Sequence, residues 1–233
     1  MKYCRMILVV LTLTMVLFFV PVTGAGEFNY VGAAALDVVA LLPAPPAADS
    51  EETKAELDLI VRVQEARTPA QVARVTSESK VEMNSFSRAI GPWFNSSNLP
   101  ITAMLLRKLE KDSKLFSESG KNAFGRKRPR FADPRVKVVI EGQDEACYPS
   151  GHATRGMLIA IILARLIPGK KAAIMEKGWE IGWNRVVAGV HYPSDIVAGR
   201  VVGQAIAVAA QANPAFRDDF DKARAEIDAA GRK

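Results

Sequence analysis

The sequence predicts an all-α fold in which a bundle of helices surrounds one core. Apolar residues recur at helical spacing along most of the longer segments. Short polar residues followed by Glu or Gln mark helix starts before two of those segments. Only the segment 135–141 alternates like a strand, and it has no second strand with which to pair. Helices packed against helices therefore account for the pattern best.

The first two helices are predicted from their N-terminal caps. In "DSEETKAELDLIVRVQEAR" Asp49 serves as the N-cap, and Glu52 follows three residues later. In "TPAQVARV" Thr68 is the cap, Pro69 takes the first helical position and Gln71 completes a capping box. Both segments are predicted to be helical from these residues onward.

A third helix is predicted over residues 100–119. Its apolar residues share one side at helical spacing: Ile101, Met104, Leu105, Leu109 and Phe116. Gly120 follows directly and is predicted to end the helix. The segment from Gly151 to Ile167 is apolar almost all round before Pro168 and Gly169. It falls short of the roughly 20 apolar residues that a membrane span needs, so a buried central helix is predicted.

Two more helices are predicted in the last third of the chain. One covers "KKAAIMEKGWEIGWNRVVAG", and the other runs from Pro193 to Gln211. The second carries small residues at spacings of three and four: Gly199, Gly203, Ala207 and Ala210. Small residues at such spacings let a neighbouring helix approach closely, so this stripe predicts packing rather than chemistry.

The first 25 residues have the layout of a secretory signal peptide. Lys2 and Arg5 precede an apolar stretch from Met6 to Val20, and the small-residue segment "PVTGAG" follows. A membrane anchor is the alternative, but the stretch is too short for a spanning helix. We therefore expect cleavage near Ala25, which leaves residues 26–233 as a single domain in the periplasm or the medium.

Export changes the charge and the cysteine content of the protein. The net charge of +6 drops by two, to +4, when Lys2 and Arg5 are removed. A mildly basic protein suits an anionic substrate. Cys4 leaves with the signal peptide, so Cys147 is predicted to be the remaining thiol and to serve as a small buried apolar residue.

A basic segment, "KNAFGRKRPRF", follows the third predicted helix. Its cations are Lys121, Arg126, Lys127, Arg128 and Arg130, with no acidic residue among them. A nucleic-acid surface and a solvated loop are two interpretations of such a cluster. The export signal and the small net charge disfavour nucleic acid. A compact site for a small anion is the favoured hypothesis.

The segment "CYPSGHATRG" contains one of two histidines in the chain. Ser150 is predicted to be an N-cap, Gly151 gives access to the backbone, and His152 falls in the first turn. A helix start offers unpaired N–H groups to an anion such as phosphate. His152 beside a bound phosphate could donate a proton to a leaving oxygen. A cap or surface histidine is the alternative for this segment taken alone.

The second histidine lies in "NRVVAGVHYPSD". If the chain turns at Gly189 and a helix starts near Pro193, Asp195 reaches His191 and accepts a hydrogen bond from Nδ1. That bond fixes the tautomer and leaves Nε2 with a nucleophilic lone pair. Arg185 lies six residues earlier and is a further candidate for the anion site. A purely structural His–Asp pair remains the alternative.

The three segments together resemble the tripartite pattern of the type 2 phosphatidic acid phosphatase superfamily. The matching residues are Lys121, Arg128 and Pro129, then "PSGH" from Pro149 to His152, and then Arg185, His191 and Asp195. With its export signal, the chain most resembles the bacterial class A non-specific acid phosphatases. One position departs, because Asn184 stands where the family commonly has Ser before the third-motif Arg. Asn still donates a hydrogen bond, so a changed rate or substrate preference is expected rather than inactivity.

The resemblance implies a fold, a reaction and a role for each residue. The fold is the helical bundle that these phosphatases share with vanadium haloperoxidases. His191 attacks phosphorus, Asp195 orients it, and His152 protonates the leaving alcohol and later activates water. The implied phosphate ligands are Lys121, Arg128, Ser150, Gly151 and Arg185. Phosphate monoesters would be hydrolysed through a phosphohistidine, with phosphotransfer to alcohols as a further outcome.

No cofactor and no metal are expected, because three fixed cations take the place of a metal ion. The expected partners are small phosphate monoesters, with no nucleic acid and no membrane after signal cleavage, and self-association is left open. Two alternatives share the residue pattern. Vanadate-dependent haloperoxidases have generally much longer chains, and lipid phosphate or pyrophosphate phosphatases carry several spanning helices.

Overall fold

The computed structural model describes residues 28–78, 80–141 and 145–231. The predicted signal peptide lies outside these residues, together with Cys4. In the described part all regular structure is helical and no β-strand occurs, so the all-α prediction is confirmed. None of these helices combines the length and the apolar character that crossing a bilayer requires.

Ten α-helices follow one another in the described residues. In chain order they are α1 (Val38–Leu41), α2 (Glu51–Ala66), α3 (Pro69–Ser77), α4 (Ser87–Ile90), α5 (Pro100–Phe124), α6 (Pro129–Ala132), α7 (Gly151–Leu166), α8 (Lys171–Val187), α9 (Pro193–Ala210) and α10 (Pro214–Ala230). Short 3₁₀ helices lie at Ala33–Ala35, Met83–Phe86 and Pro168–Lys170. The helices predicted from "GHATRG", "KKAAIM" and "YPSDIV" onward are confirmed as α7, α8 and α9.

Helix α7 forms the centre of the bundle, with α8 and α9 packed against it. The small-residue stripe of α9 makes this packing close, as predicted. A Cβ atom added at Gly199 would lie 2.5 Å from the carbonyl oxygen of Ser150, and one at Gly203 would collide with the carbonyl oxygen of Thr154. These two glycines bring α9 against the first turns of α7, where the predicted "PSGH" residues lie.

The caps of α2 and α3 follow the predicted pattern with one shift. Thr68 and Gln71 form the predicted capping box at the start of α3. At α2 the cap is Ser50 rather than Asp49, because the Ser50 side chain accepts the hydrogen bond from the Thr53 N–H. The helix therefore begins one residue later than the Asp49 cap predicts.

Gly120 does not end α5, contrary to the prediction. The helix continues to Phe124 and ends at Gly125, whose left-handed φ of 61° lets its N–H bond the carbonyl of Lys121. Gly120 is a packing residue inside the helix, because the Pro149 ring lies where a side chain would be. The extra turn carries Lys121 towards the "PSGH" segment.

Replacing Gly120 with Ala is expected to lower the free energy of unfolding by about 1–3 kcal/mol. In an unhindered helix the same change raises it by about 0.5–1 kcal/mol. The sign reverses because the new Cβ would lie 2.6 Å from Cδ of the rigid Pro149 ring. Urea unfolding measures the effect, with Gly32→Ala as a control because open space surrounds its Cβ position. A stability equal to or above that of the wild type would contradict this packing role.

The segment 135–141, whose sequence alternates like a strand, forms no strand, in agreement with the all-α prediction. Arg135 lies in a turn and Val139 and Ile140 in a bend, and the Val139 N–H bonds the carbonyl of Ala188 at the end of α8. Val136 belongs to the cluster around Leu57 and Ile60, whereas Val138, Val139 and Ile140 all pack against the cluster around Val75. The segment therefore buries its apolar side chains against two separate clusters without pairing in a sheet.

Helix α10 lies outside the predicted helices. Asn213 caps it by accepting the N–H groups of Ala215 and Phe216, and Pro214 follows at the first helical position. Its buried side chains recur every three or four residues: Phe216, Phe220, Ala223 and Ile227. The charged residues between them dilute this apolar pattern in the sequence. The helix packs against α5 and closes the bundle on that side.

Candidate active site

The candidate site lies where the first turns of α7 and α9 meet. The Ser150 N–H, directly before α7, donates a 3.0 Å hydrogen bond to the carbonyl of Asp195 in the first turn of α9. The turn before α9 contains Gly189 at a left-handed φ of 77°, and α9 begins at Pro193, both as predicted. This arrangement brings the "PSGH" and "HYPSD" segments into contact at Ser150.

His191 and Asp195 form the predicted pair. Nδ1 of His191 lies 3.0 Å from Oδ2 of Asp195, and both side chains are buried. Nε2 of His191 lies 3.2 Å from Nη1 of Arg128. An arginine has no acceptor, so Nε2 must accept this bond and the proton must reside on Nδ1. The geometry therefore requires a neutral ring with its reactive lone pair on Nε2.

The charge state of the pair agrees with this geometry. Burial lowers the pKa of His191, only partly offset by Asp195, and the nearby Arg128 and Lys121 lower it further. Burial on its own raises the pKa of Asp195, but hydrogen bonds from His191 and Tyr192 and the charge of Arg126 lower it overall. A carboxylate beside a neutral imidazole follows.

Lys121 and Arg128 converge on one carboxylate, that of Glu145. Its Oε1 lies 3.1 Å from Nζ of Lys121 and 2.6 Å from Nη2 of Arg128. Burial on its own raises the pKa of Glu145, but a hydrogen bond within its own residue and attraction to Arg128 and Lys121 lower it to about 2. The two predicted phosphate ligands thus already hold an oxyanion between them.

Arg185 lies near Arg128, but part of its guanidinium group bonds the backbone of α3. Its Nη2 donates to the carbonyl of Val75 at 3.1 Å, while its buried Nε has no hydrogen-bond partner. Burial lowers the pKa of Arg185 to about 10, Glu78 opposes this, and repulsion from Arg128 adds to it. The unpartnered Nε leaves Arg185 with a donor for an anion.

Asn184, which replaces the usual Ser of the family pattern, bonds a carboxylate. Its Nδ2 donates to Oε2 of Glu78 at 2.6 Å, and Glu78 also forms an ion pair with Lys177. The Asn184 amide thereby fixes the Glu78 carboxylate, whose charge also acts to raise the pKa of Arg185. The sequence offers no local signal for Glu78, which lies 106 positions before Asn184.

The predicted residues of "PSGH" lie at the N-terminus of α7. Ser150 is fully buried and caps the helix, as predicted, by accepting the Ala153 N–H. Gly151 and His152 follow in the first turn, both half-buried. A Cβ added at Gly151 would lie 3.3 Å from Oγ of Ser117, so the backbone is closely approached from the α5 side.

One member of the basic segment contacts Asp195 directly, which the sequence does not predict. Arg126 donates from Nη1 to Oδ1 of Asp195 at 2.7 Å, and from Nη2 to Oε2 of Glu56 at 2.8 Å. Glu56 lies on α2, 70 positions earlier in the chain. Only the tertiary fold brings these three side chains together.

Cys147 is buried, as predicted, and completes the only candidate set of metal ligands in the described residues, with His191 and Asp195. Burial raises the pKa of its thiol, and the nearby Asp195 raises it further. The thiol donates to the backbone carbonyls of Arg126 and Lys127. A protonated thiol, together with a carboxylate and an imidazole that already contact the cations Arg126 and Arg128, makes a poor donor set for a further cation.

The chain is similar to named acid phosphatases. It is 30% identical over 204 residues to a non-specific acid phosphatase of Providencia stuartii, covering 83% of this chain and 82% of the relative. It is 33% identical over 153 residues to an acid phosphatase of Zymomonas mobilis subsp. mobilis, covering 64% and 58% respectively. A solved transmembrane PAP2-type phosphatidylglycerolphosphate phosphatase from Bacillus subtilis matches at a TM-score of 0.49 and 16% identity, over 70% of this chain and 87% of that one.

A family model described as the PAP2 superfamily matches residues 101–217. This range begins in α5 and ends in α10, so it contains all three segments that meet at the site. It spans just over half of the chain, and the Providencia stuartii relative extends the similarity across most of the remainder. The resemblance predicted from the three motifs is confirmed. The chain belongs to the PAP2 superfamily.

Proposed function

We propose that the protein is an acid phosphatase that hydrolyses phosphate monoesters through a phosphohistidine at His191. The observation that carries the proposal is the fixed Nε2 of His191 beside Arg128, with the proton held on Nδ1 by Asp195. The names of its relatives support the reaction class. Phosphoric monoester hydrolysis is the activity that agrees best with both this geometry and the names of the relatives.

The proposed reaction has two displacement steps. Nε2 of His191 attacks phosphorus, an N–P bond forms, and the P–O bond to the leaving alcohol breaks while His152 donates a proton to that oxygen. His152 then removes a proton from water, the water oxygen attacks phosphorus, and the N–P bond breaks. Asp195 keeps the proton on Nδ1 throughout. An alcohol in place of water would give phosphotransfer.

We assign the phosphoryl oxygens of the substrate to the cations around Nε2 of His191. Lys121 and Arg128 already coordinate one carboxylate oxygen, and Arg185 has an unpartnered buried Nε. The Gly151 N–H in the first turn of α7 and the Ser150 hydroxyl at its N-cap lie where the helix dipole favours an anion, while the Ser150 N–H is already bonded to Asp195. Fixed positive charge of this kind supplies most of the stabilisation in phosphoryl transfer.

We further propose that residues 1–25 are removed on export and that the domain from residue 26 onward acts outside the cytoplasm. The charged start, the apolar stretch and the small-residue segment support this. The substrates proposed are small phosphate esters that diffuse to the site. Intact-mass measurement of the protein recovered from the periplasm or medium tests the cleavage.

Turnover of p-nitrophenyl phosphate by purified residues 26–233 tests the proposed function. We expect release of phosphate and p-nitrophenol, unchanged after dialysis against a chelator. Absence of turnover would overturn the proposal. Loss of turnover in chelator, restored by a divalent cation, would overturn the assignment of charge stabilisation to the three cations. Halide oxidation with vanadate and peroxide, in the absence of phosphatase turnover, would favour the haloperoxidase alternative.

Replacing Glu145 with Gln is expected to strengthen inhibition by vanadate by about fivefold or more. The Glu145 carboxylate bonds Lys121 and Arg128, so an incoming oxyanion must displace it. The neutral amide competes less. The competitive inhibition constant, measured against p-nitrophenyl phosphate, checks this, and Glu141→Gln is the matched control because Glu141 pairs with Arg130 instead. An unchanged or weaker inhibition in Glu145→Gln would contradict the expectation.

Activity is expected to persist well below pH 6.5. The nucleophile must be neutral, and burial lowers the pKa of His191 below its ordinary value of 6.5. As the pH falls through 6.5 the ring therefore stays neutral, and kcat/KM, which reports the free enzyme, should not yet decline. The pH profile of kcat/KM measures this. An acid limb with its midpoint at 6.5 or above would contradict a neutral buried ring.

A further inference from the structure

Arg126 occupies a position that the proposed reaction does not use. Its side chain is 7% exposed, and its guanidinium plane stacks on the ring of Tyr192, with Cζ 3.7 Å from the centroid. Nη1 donates to Oδ1 of Asp195 and to Oγ of Ser194, both at 2.7 Å. Burial on its own lowers the pKa of Arg126, but Asp195 and Glu56 outweigh it and raise the pKa. The cation is therefore permanent and fixed in orientation.

Glu56 of α2 completes this arrangement from the far side. Its Oε2 accepts from Nη2 of Arg126 at 2.8 Å and from Oγ of Ser194 at 2.9 Å, and its Oε1 accepts the Ser194 N–H at 2.6 Å. Glu56 thus links Arg126 to the first turn of α9. Glu56 and Ser194 bond the edges of the Arg126 guanidinium group, and the Tyr192 ring packs against its face. Nη1 is therefore fixed in its direction towards Asp195.

The two oxygens of Asp195 have separate partners. Oδ1 accepts from Arg126, while Oδ2 accepts from Nδ1 of His191 and from the Tyr192 N–H. Asp195 is completely buried, so a carboxylate left without Arg126 would retain an uncompensated charge in the core. It would also lose the bond that resists rotation about its Cβ–Cγ axis.

We propose that Arg126 is a positioning residue for the phosphoryl transfer to His191: it holds Oδ1 of Asp195 so that Oδ2 stays directed at Nδ1. This inference rests on the proposed function for its catalytic meaning, but its structural part concerns the His–Asp pair alone. Arg126 touches no reacting atom in the scheme. It acts through the orientation of Asp195 and by sharing the charge of that carboxylate.

Other charged groups near the pair do not substitute for Arg126. On the Nε2 side of His191 lie the cations Arg128 and Lys121 with Glu145, and Arg185 of α8 lies beyond Arg128. His152 lies in the first turn of α7. Burial raises the pKa values of the groups around Asp195, which are therefore neutral: Cys147, Tyr148 and Tyr192. Among the described residues, the ion pairs of Asp195 are those with Arg126 and His191.

The test compares Arg126→Gln with Arg126→Lys in residues 26–233. Gln carries no charge and is too short to hold Asp195 and Glu56 together, so kcat should fall by about 10- to 100-fold. Lys keeps the charge but not the fork, and we expect a smaller loss, of about two- to tenfold. Arg155→Gln is the matched control, because Arg155 is a half-buried arginine paired with Glu110.

A second readout separates positioning from mere stability. The chain has two histidines, so ¹⁵N-histidine NMR can follow the tautomer and pKa of each ring. In Arg126→Gln the unshared charge of Asp195 should raise the pKa of His191 by about one unit or more, and the acid limb of kcat/KM should move upward with it. Arg155→Gln should lower the Tm and leave the His191 titration unchanged.

The outcomes separate the positioning role of Arg126 from the proposed function of the protein. Lower kcat and Tm in Arg126→Gln with a wild-type His191 titration would show a structural role only and overturn the inference. A raised His191 pKa in a protein whose wild type turns over no phosphate ester would support the positioning and refute the proposed function. If Arg126→Gln does not fold, Arg126→Lys decides: wild-type kcat together with a wild-type His191 titration would overturn the inference.

Discussion

Replacing His191 with Ala is expected to reduce turnover of phosphate monoesters by at least about 10⁴-fold. The imidazole supplies the nucleophile of the first displacement in the proposed scheme, so its removal abolishes that step. The Asp195 carboxylate and Arg128 would remain, so charge stabilisation alone would account for any residual rate. Steady-state assays with p-nitrophenyl phosphate measure the loss.

The buried position of His191 requires a control for folding. Circular dichroism and the Tm should show that the Ala variant is folded, and His191→Asn, which keeps a polar group beside Asp195, should lose activity to the same extent. Vanadate should still bind through Lys121, Arg128 and Arg185. A folded His191→Ala protein that retains more than about a hundredth of wild-type kcat would contradict the role of His191 as nucleophile.

Replacing His152 with Ala is expected to separate the two steps of the reaction. An alkyl phosphate, whose leaving oxygen needs a proton, should lose about 10²- to 10⁴-fold in kcat/KM. An activated aryl phosphate leaves without that proton, so attack by His191 should proceed. Water would then lack its base, and the phosphoenzyme should accumulate. A fast burst of phenol followed by slow turnover in stopped-flow assays is the expected result.

The matched comparison is the same pair of substrates with Arg155→Gln, in which a side chain one turn further along α7 is altered. That variant should treat alkyl and aryl esters alike. Equal losses for both esters in His152→Ala, with no burst, would assign His152 to binding rather than to proton transfer.

Local signals in the sequence predict the helices whose boundaries are set locally. Thr68 and Gln71 form a capping box whose partners lie three residues apart, and the apolar run of α7 is contiguous. Gly120 misled because a glycine ends a helix only where the backbone adopts a left-handed φ, and Gly125 supplies that conformation. Gly120 is a glycine for a tertiary reason, the ring of Pro149.

The alternation of residues 135–141 does not correspond to a strand, as the lack of a partner segment in the sequence indicated. A period of two shows that successive side chains face opposite surroundings, and a sheet is one way to produce that pattern. Here Val136 packs in one hydrophobic cluster, and Val138, Val139 and Ile140 pack against another. Helix α10 was missed because its charged residues outnumber the apolar ones that it buries.

At the site, the sequence predicts the cations and histidines but not the acids around them. His191 and Asp195 lie one helical turn apart and meet through local geometry. Glu56, by contrast, contacts Ser194 across 138 positions, and Glu78 reaches Asn184 across 106. Such pairs leave no local pattern, because the folded chain rather than the spacing brings them together. Arg126 was visible only as one cation among five, until the fold placed it against Asp195.

Trapping the intermediate tests the central claim most directly. The protein is mixed with an activated aryl phosphate, quenched in base, where phosphohistidine survives, and digested with trypsin. The two histidines fall in different peptides, His191 in residues 186–200 and His152 in residues 138–155. We predict one phosphoryl group, on His191, at a level that rises in His152→Ala. A phosphoryl group on the 138–155 peptide, or none on either peptide during continued turnover of the His152→Ala protein, would contradict the account.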